Sequence, residues 1–370
     1  MYLIQKRRLA EVFRDKLVWL IFAYVLIHFI AWAAFRPEAD AAIAGMLMNL
    51  RFLGVFLLTM VLLTFTKPVQ LLRLGLLAII SGGMLVILFG LFQATVLPDD
   101  FLRHFGYGKE TIAPATTLDN NHAIVRLQST LRGPNPLGQY LILIILLLVA
   151  CWRKGAKLWL AGWLLAATYL LFHTYSRSAW IGMIVAGGLF VVLRLRSDTW
   201  RKIILGSGAA ALVVGAILVA LALPHSTFLQ NAILHNKHGD KDKGSTSEHW
   251  SAGQRSLERI AEHPLGQGPG SAGPASFYGP EEKIAENYYL QITEEVGVFG
   301  IAIFIAINAT VAARLWRRRQ NIWAAVWLAS FAGITVVNFF LHGWADDTIA
   351  IIWWAIVPVF FYSQREHEQG

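Results

Sequence analysis

Long apolar runs, separated by short polar segments, are the feature that most constrains this chain. They lie near residues 17–35, 43–66, 74–97, 137–152, 158–175, 178–193, 203–223, 287–313, 322–342 and 348–362. Because an α-helix rises about 1.5 Å per residue, roughly 20 apolar residues cross the hydrocarbon core of a bilayer. Only 15% of the 370 residues are charged, whereas soluble domains carry about 25%. We therefore predict an all-α, polytopic membrane protein with about ten transmembrane helices.

Basic residues occur in short clusters between the apolar runs, and they account for the formal net charge of +9. This arrangement is typical of loops beside membrane spans and does not favour a nucleic-acid partner. One alternating set of segments is much denser in Lys and Arg, so we predict that this set is cytoplasmic. Both termini then lie inside, which requires an even number of helices.

The predicted organisation has five parts. In chain order they are an N-terminal three-helix membrane segment (1–97), a first periplasmic loop (98–136), transmembrane helices 4–7 (137–223), a large periplasmic loop (224–286), and transmembrane helices 8–10 with a short cytoplasmic tail (287–370). The basic residues before Leu17 and the lack of a small-residue cleavage site predict a retained first helix rather than a signal peptide.

The large loop divides into a polar stretch, an amphipathic helix and a glycine-rich turn. Residues 235–247 are very polar, and whether they are ordered stays open. From Glu248 to Glu262 the spacing predicts a helix, ended by Pro264, on which Trp250, Leu257 and Ile260 share an apolar face. The glycines that follow predict an irregular turn. They are Gly266, Gly268, Gly270 and Gly273.

The single cysteine, Cys151, excludes an intramolecular disulfide. The histidines of the large loop do not have the spacing of metal ligands, so we predict no metal and no cofactor. Asp346 and Asp347 are adjacent carboxylates, which we interpret as part of a solvated loop.

Four arginines fall on the predicted external side at or near span boundaries: Arg126, Arg132, Arg177 and Arg255. A guanidinium is permanently charged and binds phosphate oxygens in pairs, so these residues are candidates for binding a diphosphate. Arginines that anchor a helix at the membrane interface, by reaching lipid phosphates, occur at the same kind of position. Both interpretations stay open for each arginine.

Glu286 is the first of a second group of candidate site residues, at the start of the span that runs to Ala313. On a helix, Glu286 and Tyr289 share a face, with Asn287 beside them. The carboxylate is a candidate general base toward a sugar hydroxyl. Its favourable interaction with a helix N-terminus explains the residue equally well. The glycine turn with His263 and Gly268 is a candidate supporting element, for which a purely structural turn is the alternative.

Four short motifs, in this order, resemble the O-antigen ligase/polymerase family. Residues 132–138 (Arg-Gly-Pro-Asn-Pro-Leu-Gly) are similar to its entry into a span, and residues 174–180 (Thr-Tyr-Ser-Arg-Ser-Ala-Trp) to its serine-arginine turn. Arg255 with residues 260–268 resembles its Arg and His-Pro-Leu-x-Gly-x-Gly block. Residues 286–290 with 295–300 resemble its Asn-x-Tyr-Leu and Glu-x-Gly-x-x-Gly block.

The resemblance implies a GT-C-like fold and a metal-independent, inverting glycosyltransferase. An undecaprenyl-diphosphate-linked glycan would be transferred to a saccharide hydroxyl at the periplasmic face, either of lipid A-core or of another lipid-linked repeat unit. Arg177 and Arg255, with Arg126 or Arg132, would neutralise the departing diphosphate, and Glu286 would act as the base. Asn287, Tyr289, His263 and Gly268 would support this site, and membrane lipid would surround it.

Glu286 stands where the ligases of this family carry histidine, which favours a polymerase or another surface-polysaccharide transferase. Two alternatives stay open. A transporter or flippase of lipid-linked sugars would have broken helices and buried charges near the midplane. The ten-helix peptidoglycan polymerases have a similar helix count and donor, but their catalytic aspartate motif is not found here.

Overall fold

The computed structural model describes residues 9–108, 111–118, 121–154, 158–195, 197, 199, 202–203, 206–207 and 245–362. The predicted span 203–223 and the polar stretch 235–247 fall largely outside these residues. The described helices are numbered here in chain order. They are α1 (Lys16–Phe35), α2 (Ala39–Leu62), α3 (Pro68–Thr95), α4 (Pro134–Lys154), α5 (Leu158–His173), α6 (Arg177–Leu193), α7 (Ser245–Glu262), α8 (Tyr288–Arg317), α9 (Ile322–Val337) and α10 (Asp347–Tyr362).

Each predicted apolar span whose residues are described is a helix. Within this part of the chain, five helices are long and apolar enough to cross a bilayer: α1, α2, α3, α4 and α8. The helices α5, α6, α9 and α10 are apolar but shorter, at 16 or 17 residues. The prediction of a mostly helical, multi-pass chain is therefore confirmed, while the total of ten spans stays a prediction.

A helix buried on all sides forms the centre of the bundle. In α4 every residue from Leu137 to Leu148 is buried, as expected of a helix without a polar face. An aromatic cluster fills the space between α2, α9 and α10. It contains Trp327, Trp344, Trp353 and Trp354, all completely buried. The indole N–H of Trp327 donates to the carbonyl of Trp353 at 3.0 Å, so this buried N–H has a hydrogen-bond partner.

The helices alternate in direction between two ends of the bundle. One end, here called the motif end, carries the connections 96–108, 121–133, 174–176, 263–287 and 338–346. The other, here called the basic end, carries the start of α1 and the ends of α8 and α10, joined by contacts of Arg314 with Asp15 and of Arg318 with Phe361. All candidate site residues predicted from the sequence lie at the motif end.

A small hairpin in the first loop was not predicted. Strands β1 (Thr116–Leu118) and β2 (Asn121–Arg126) pair antiparallel, with Thr116 opposite Arg126. Three and six residues are too few to show a clear alternating pattern in the sequence. The hairpin delivers Arg126 to the bundle at its final residue.

Candidate functional site

Arg126 is held against the turn that joins α5 to α6. Its Nε donates to the Thr174 carbonyl at 2.8 Å, and its Nη2 donates to the Asn135 side-chain oxygen at 2.8 Å. Arg177 follows three residues after Thr174, as the first residue of α6, and its side chain is exposed. The structure thus brings two of the four predicted arginines to one turn, and it links motif residues 132–138 to 174–180.

The start of α6 is an unusual place for a cation. Helix N-termini carry exposed N–H groups and a positive partial charge, which favour anions and disfavour Arg177. The side chain of Ser176 makes no capping hydrogen bond, and Tyr175 has a left-handed backbone with φ of 49°. Such strain in a non-glycine residue costs free energy and is concentrated at functional sites. Together the N–H groups and the guanidinium can bind an anion.

Arg132 and Arg51 converge on Asp347, at the first residue of α10. Asp347 forms an ion pair with Arg51 of α2, and Arg132 Nη1 lies 3.6 Å from its second carboxylate oxygen. Arg51 also donates to the Ala345 carbonyl. The Asp347 side chain is 44% exposed, as expected of a solvated loop, but its ion pairs with two arginines were not predicted. Burial raises the pKa of Asp346 above its ordinary 3.8, although N–H groups of Thr348 and Ile349 oppose the shift.

Glu286 precedes α8 rather than opening it. The helix begins at Tyr288, and the side chain of Asn287 accepts from the N–H groups of Tyr289 at 2.9 Å and Leu290 at 3.1 Å. The N-cap is thus Asn287, and the expectation that Glu286 starts the helix and shares a face with Tyr289 is wrong. Glu286 instead has a left-handed backbone with φ of 50° and is half-buried. Glu286 is therefore not the cap of α8, and its strain is of a kind that is concentrated at functional sites.

Asn287 and Tyr289 fix the start of α8 to the connection 338–346. The amide of Asn287 donates to the Phe339 carbonyl at 3.1 Å, and the Tyr288 N–H donates to the Asn338 carbonyl at 2.9 Å. The hydroxyl of Tyr289 donates to the Thr335 carbonyl at 3.3 Å. Since Asp347 follows this connection directly, the Glu286 segment and the Arg132–Asp347 pair are attached to one loop.

Helix α8 is broken at Gly297, where φ is 71° and ψ is −176°. The carbonyls of Glu294 and Glu295, which lose their helical partners there, accept from the N–H groups of Gln267 at 2.8 Å and Gly268 at 2.9 Å. In return, the Val298 N–H donates to the Pro264 carbonyl at 3.0 Å. The glycine turn 264–270 is thus inserted into the break.

The glycine turn contains Gly268, one of the residues predicted to support the site, and its role there is structural. The three glycines within 264–270 and the following Gly273 all have positive φ, which confirms the predicted irregular turn. At Gly268 (φ 97°) a Cβ atom would lie 2.8 Å from Pro37, so only glycine fits between α8 and the start of α2. His263 is exposed at the end of α7. Gly268 therefore positions the backbone of the site.

A buried polar network lies beside the break. The fully buried carboxylate of Glu295 accepts hydrogen bonds from Asn49 of α2 and from Gln291 at 3.2 Å, and from the backbone N–H of Gly270. The Tyr288 hydroxyl donates to Asn49 at 3.2 Å. Because a buried carboxylate is stable only when its oxygens are hydrogen-bonded, this network joins α2, α8 and the glycine turn.

Arg255 lies on α7, which packs on α8 through a different arginine. Arg259 donates to Glu294 at 2.5 and 3.1 Å, and the buried face of α7 is formed by Ala252 and Ser256. Leu257 is 57% exposed, so the buried face of α7 is not the apolar face predicted from the sequence. We find no hydrogen bond or ion pair between the exposed Arg255 and the other described residues. The structure thus brings Arg126 to Arg177, and Arg132 to the Glu286 segment, but leaves Arg255 apart.

Sequence reasoning did not assign roles to Asn49, Arg51, Asp347, Arg259 or Glu295. Except for Arg259, which lies on the loop helix α7, their common signal is a polar or charged side chain in or at the edge of an apolar span, where it is costly unless it has a partner. The partners could not be identified, since Asn49 and Glu295 are 246 residues apart.

The fold and the site define a multi-pass helical membrane protein with an arginine-rich polar site at one end. Residues 160–305 match the family model described as O-antigen ligase, and they include Arg177, Arg255 and Glu286. An O-antigen polymerase of Salmonella muenchen is 26% identical over 303 residues, which cover 80% of this chain and 74% of that protein. The resemblance to the O-antigen ligase/polymerase family is thereby confirmed, and it supports a role in surface-polysaccharide biosynthesis.

One solved structure has a similar chain, in a peptidoglycan synthase complex described as coordinating polymerization and crosslinking. The two chains are 16% identical, with 95% of this chain and 97% of that chain covered and a TM-score of 0.48. A similarity of this size carries no argument about this chain's fold or reaction.

Proposed function

We propose that this protein is a glycosyltransferase of the inner membrane, which moves an undecaprenyl-diphosphate-linked glycan onto a saccharide hydroxyl at the periplasmic face. The observation that carries the proposal is the turn 174–177, where Arg126 is bonded to Thr174 and Arg177 begins α6. This turn lies inside the region that matches the O-antigen ligase family. It concentrates fixed positive charge at one end of a membrane bundle.

The reaction exchanges one C–O bond for another. The bond between the anomeric carbon and the diphosphate breaks, and the acceptor oxygen forms a new bond from the opposite face, which inverts the configuration. The hydroxyl proton passes to Glu286. The departing diphosphate keeps the electron pair, and Arg177 with the N-terminus of α6 stabilises that charge. Arg132 and Arg255 contribute to binding the donor, and no metal is required for this charge balance.

The acceptor in our proposal is a second lipid-linked repeat unit, so the protein acts as a polymerase. Two observations favour this over transfer to lipid A-core. The relative that aligns over most of the chain is named an O-antigen polymerase, and Glu286 occupies the position at which the ligases carry histidine.

The alternative of a transporter or flippase has one observation in its favour, because α8 is broken and Glu294 and Glu295 are buried beside the break. Broken helices of transporters line a cavity that receives the substrate. Here the glycine turn 264–270 occupies the break and satisfies its backbone groups. The break therefore supports a fixed scaffold more than a transport site.

The test is a reaction of the purified protein with lipid-linked repeat units, with and without a lipid A-core acceptor. We expect chain growth without the core, and loss of this growth by roughly 100-fold or more in Arg177→Ala and Arg255→Ala. Arg103→Ala is the matched control, since Arg103 is an exposed arginine of the motif end whose ion pair among the described residues is with Asp100 at 3.1 Å. Full activity in both site variants would contradict the diphosphate role. Product that forms only with the core would identify a ligase.

A further inference from the structure

A second group of basic residues surrounds a cavity of about 430 Å³ at the basic end. The cavity lies between the start of α1 and the ends of α8 and α10. Its charged lining residues within the described part of the chain are Arg14, Asp15, Lys16, Arg314, Arg317 and Arg318. Five cations and one carboxylate give the cavity a large excess of positive charge.

Asp15 does not neutralise this excess. Its carboxylate caps α1 at the Leu17 N–H and accepts from both terminal nitrogens of Arg314, at 2.7 and 2.5 Å. The Arg314 guanidinium also lies 5.1 Å from the centre of the Phe361 ring, so its position is fixed. Asp15 thus balances one cation, while Arg14, Lys16 and Arg317 are exposed.

Helix dipoles account for only part of the cluster. Arg314 and Arg317 lie in the last turn of α8, where cations are favourable. Arg14 and Lys16 lie at the N-terminus of α1, where a cation is unfavourable. Their presence beside the cavity needs another stabilising charge.

Aromatic residues place the cavity at the level of the lipid headgroups. Trp19, one turn inside Lys16, is 60% exposed, and its indole donates to the Phe13 carbonyl at 2.7 Å. Exposed tryptophans of this kind are enriched at membrane–water interfaces. Basic pockets between transmembrane helices at this depth bind the headgroups of anionic lipids.

We propose that this cavity binds one anionic phosphate group, carried by the headgroup of a membrane phospholipid. Arg314 and Arg318 form the fixed wall, and Arg14, Lys16 and Arg317 supply guanidinium and ammonium donors to the phosphate oxygens. A soluble phosphate has the same chemistry, and the experiment distinguishes the two sources. The site lies at the end opposite the glycan-transfer residues, so it does not depend on their assignment.

The test is native mass spectrometry of the full-length protein, with phosphatidylglycerol and phosphatidylcholine of equal chain length as probes. We expect phosphatidylglycerol to be retained preferentially. The double variant Arg14→Gln/Arg317→Gln should lose this preference, on the order of tenfold or more. Lys67→Gln/Arg73→Gln removes two exposed cations from the same end but outside the cavity, and should retain it. Lys16→Gln provides a second cavity variant, and circular dichroism checks that each variant is folded.

An unchanged preference in the folded cavity variants would overturn the proposal, and so would an equal loss in the control variant. Excess inorganic phosphate is the competitor that separates the sources. Resistance of the bound phosphatidylglycerol to this competitor supports a lipid headgroup, whereas its displacement would overturn the lipid assignment.

Discussion

The side-chain amide of Asn49 in α2 donates a hydrogen bond to the buried carboxylate of Glu295 in α8, across 246 residues of sequence. Glu295 lies two residues before the break at Gly297, and its own backbone carbonyl is bound by the glycine turn. The contact therefore determines how α2, α8 and the turn are arranged at the motif end.

Replacing Asn49 by leucine should destabilise the protein by about 1–3 kcal/mol, because the carboxylate of Glu295 loses a donor without access to water. The double variant Asn49→Leu/Glu295→Leu should recover part of this loss, since neither polar group then remains buried. Thermal unfolding in detergent measures both effects. Asn308→Leu is the control, because the side chain of Asn308, within the described residues, bonds to the Phe304 carbonyl of its own helix at 2.8 Å. Equal losses at positions 49 and 308 would contradict this account.

Gly297→Ala should destabilise the protein by about 1–3 kcal/mol, because alanine is strained at positive φ. Its Cβ atom would also lie 2.5 Å from the backbone of Leu265. Gly54→Ala is the matched control, since no atom lies within 4 Å of the added Cβ inside α2. That control should gain about 0.5–1 kcal/mol from helix propensity. The same thermal unfolding assay compares the two, and a neutral Gly297→Ala would exclude a rigid break.

Glu286→Gln should lower glycan transfer by about 10²–10⁴-fold, because glutamine cannot accept the proton of the acceptor hydroxyl. Glu286→Asn separates chemistry from backbone strain, since asparagine tolerates the left-handed conformation. It should fold at least as well as the wild type and remain inactive, while Glu286→His should retain some activity. Rates of transfer and melting temperatures are measured together. A wild-type rate for Glu286→Gln would assign the residue a structural role only.

Arg51 and Arg132 share Asp347 but should respond differently to substitution. The Arg132 side chain is 48% exposed, so Arg132→Gln should change stability by only about 0–1 kcal/mol and should lower transfer by weakening donor binding. Arg51→Gln should destabilise the protein more, because Arg51 also binds the Ala345 carbonyl. Melting temperature and the KM for the donor distinguish the two roles. A larger loss of stability in Arg132→Gln would reverse the assignment.

The sequence predicts the apolar helices well, because each long apolar run has one low-energy state in a bilayer. It also predicts the end of α7 before Pro264 and the positive φ of the glycine turn. The break in α8 could not be predicted, since Gly297 lies within an otherwise helical apolar pattern and depends on carbonyl partners about 30 residues earlier. Likewise, the role of Asp347 depends on Arg51 in α2, which no local pattern connects to it.

The break at Gly297 has a mechanical consequence. The part of α8 before Gly297 is bound by the glycine turn, α2 and the connection 338–346. The part after it is a long apolar helix that packs on α1 with one face and exposes Phe299 and Ile305 on another. Changes in bilayer thickness act on such helices through tilt. A tilt of the part after Gly297 can therefore be absorbed at the break, while the protein contacts of the part before it keep the Glu286 segment in place.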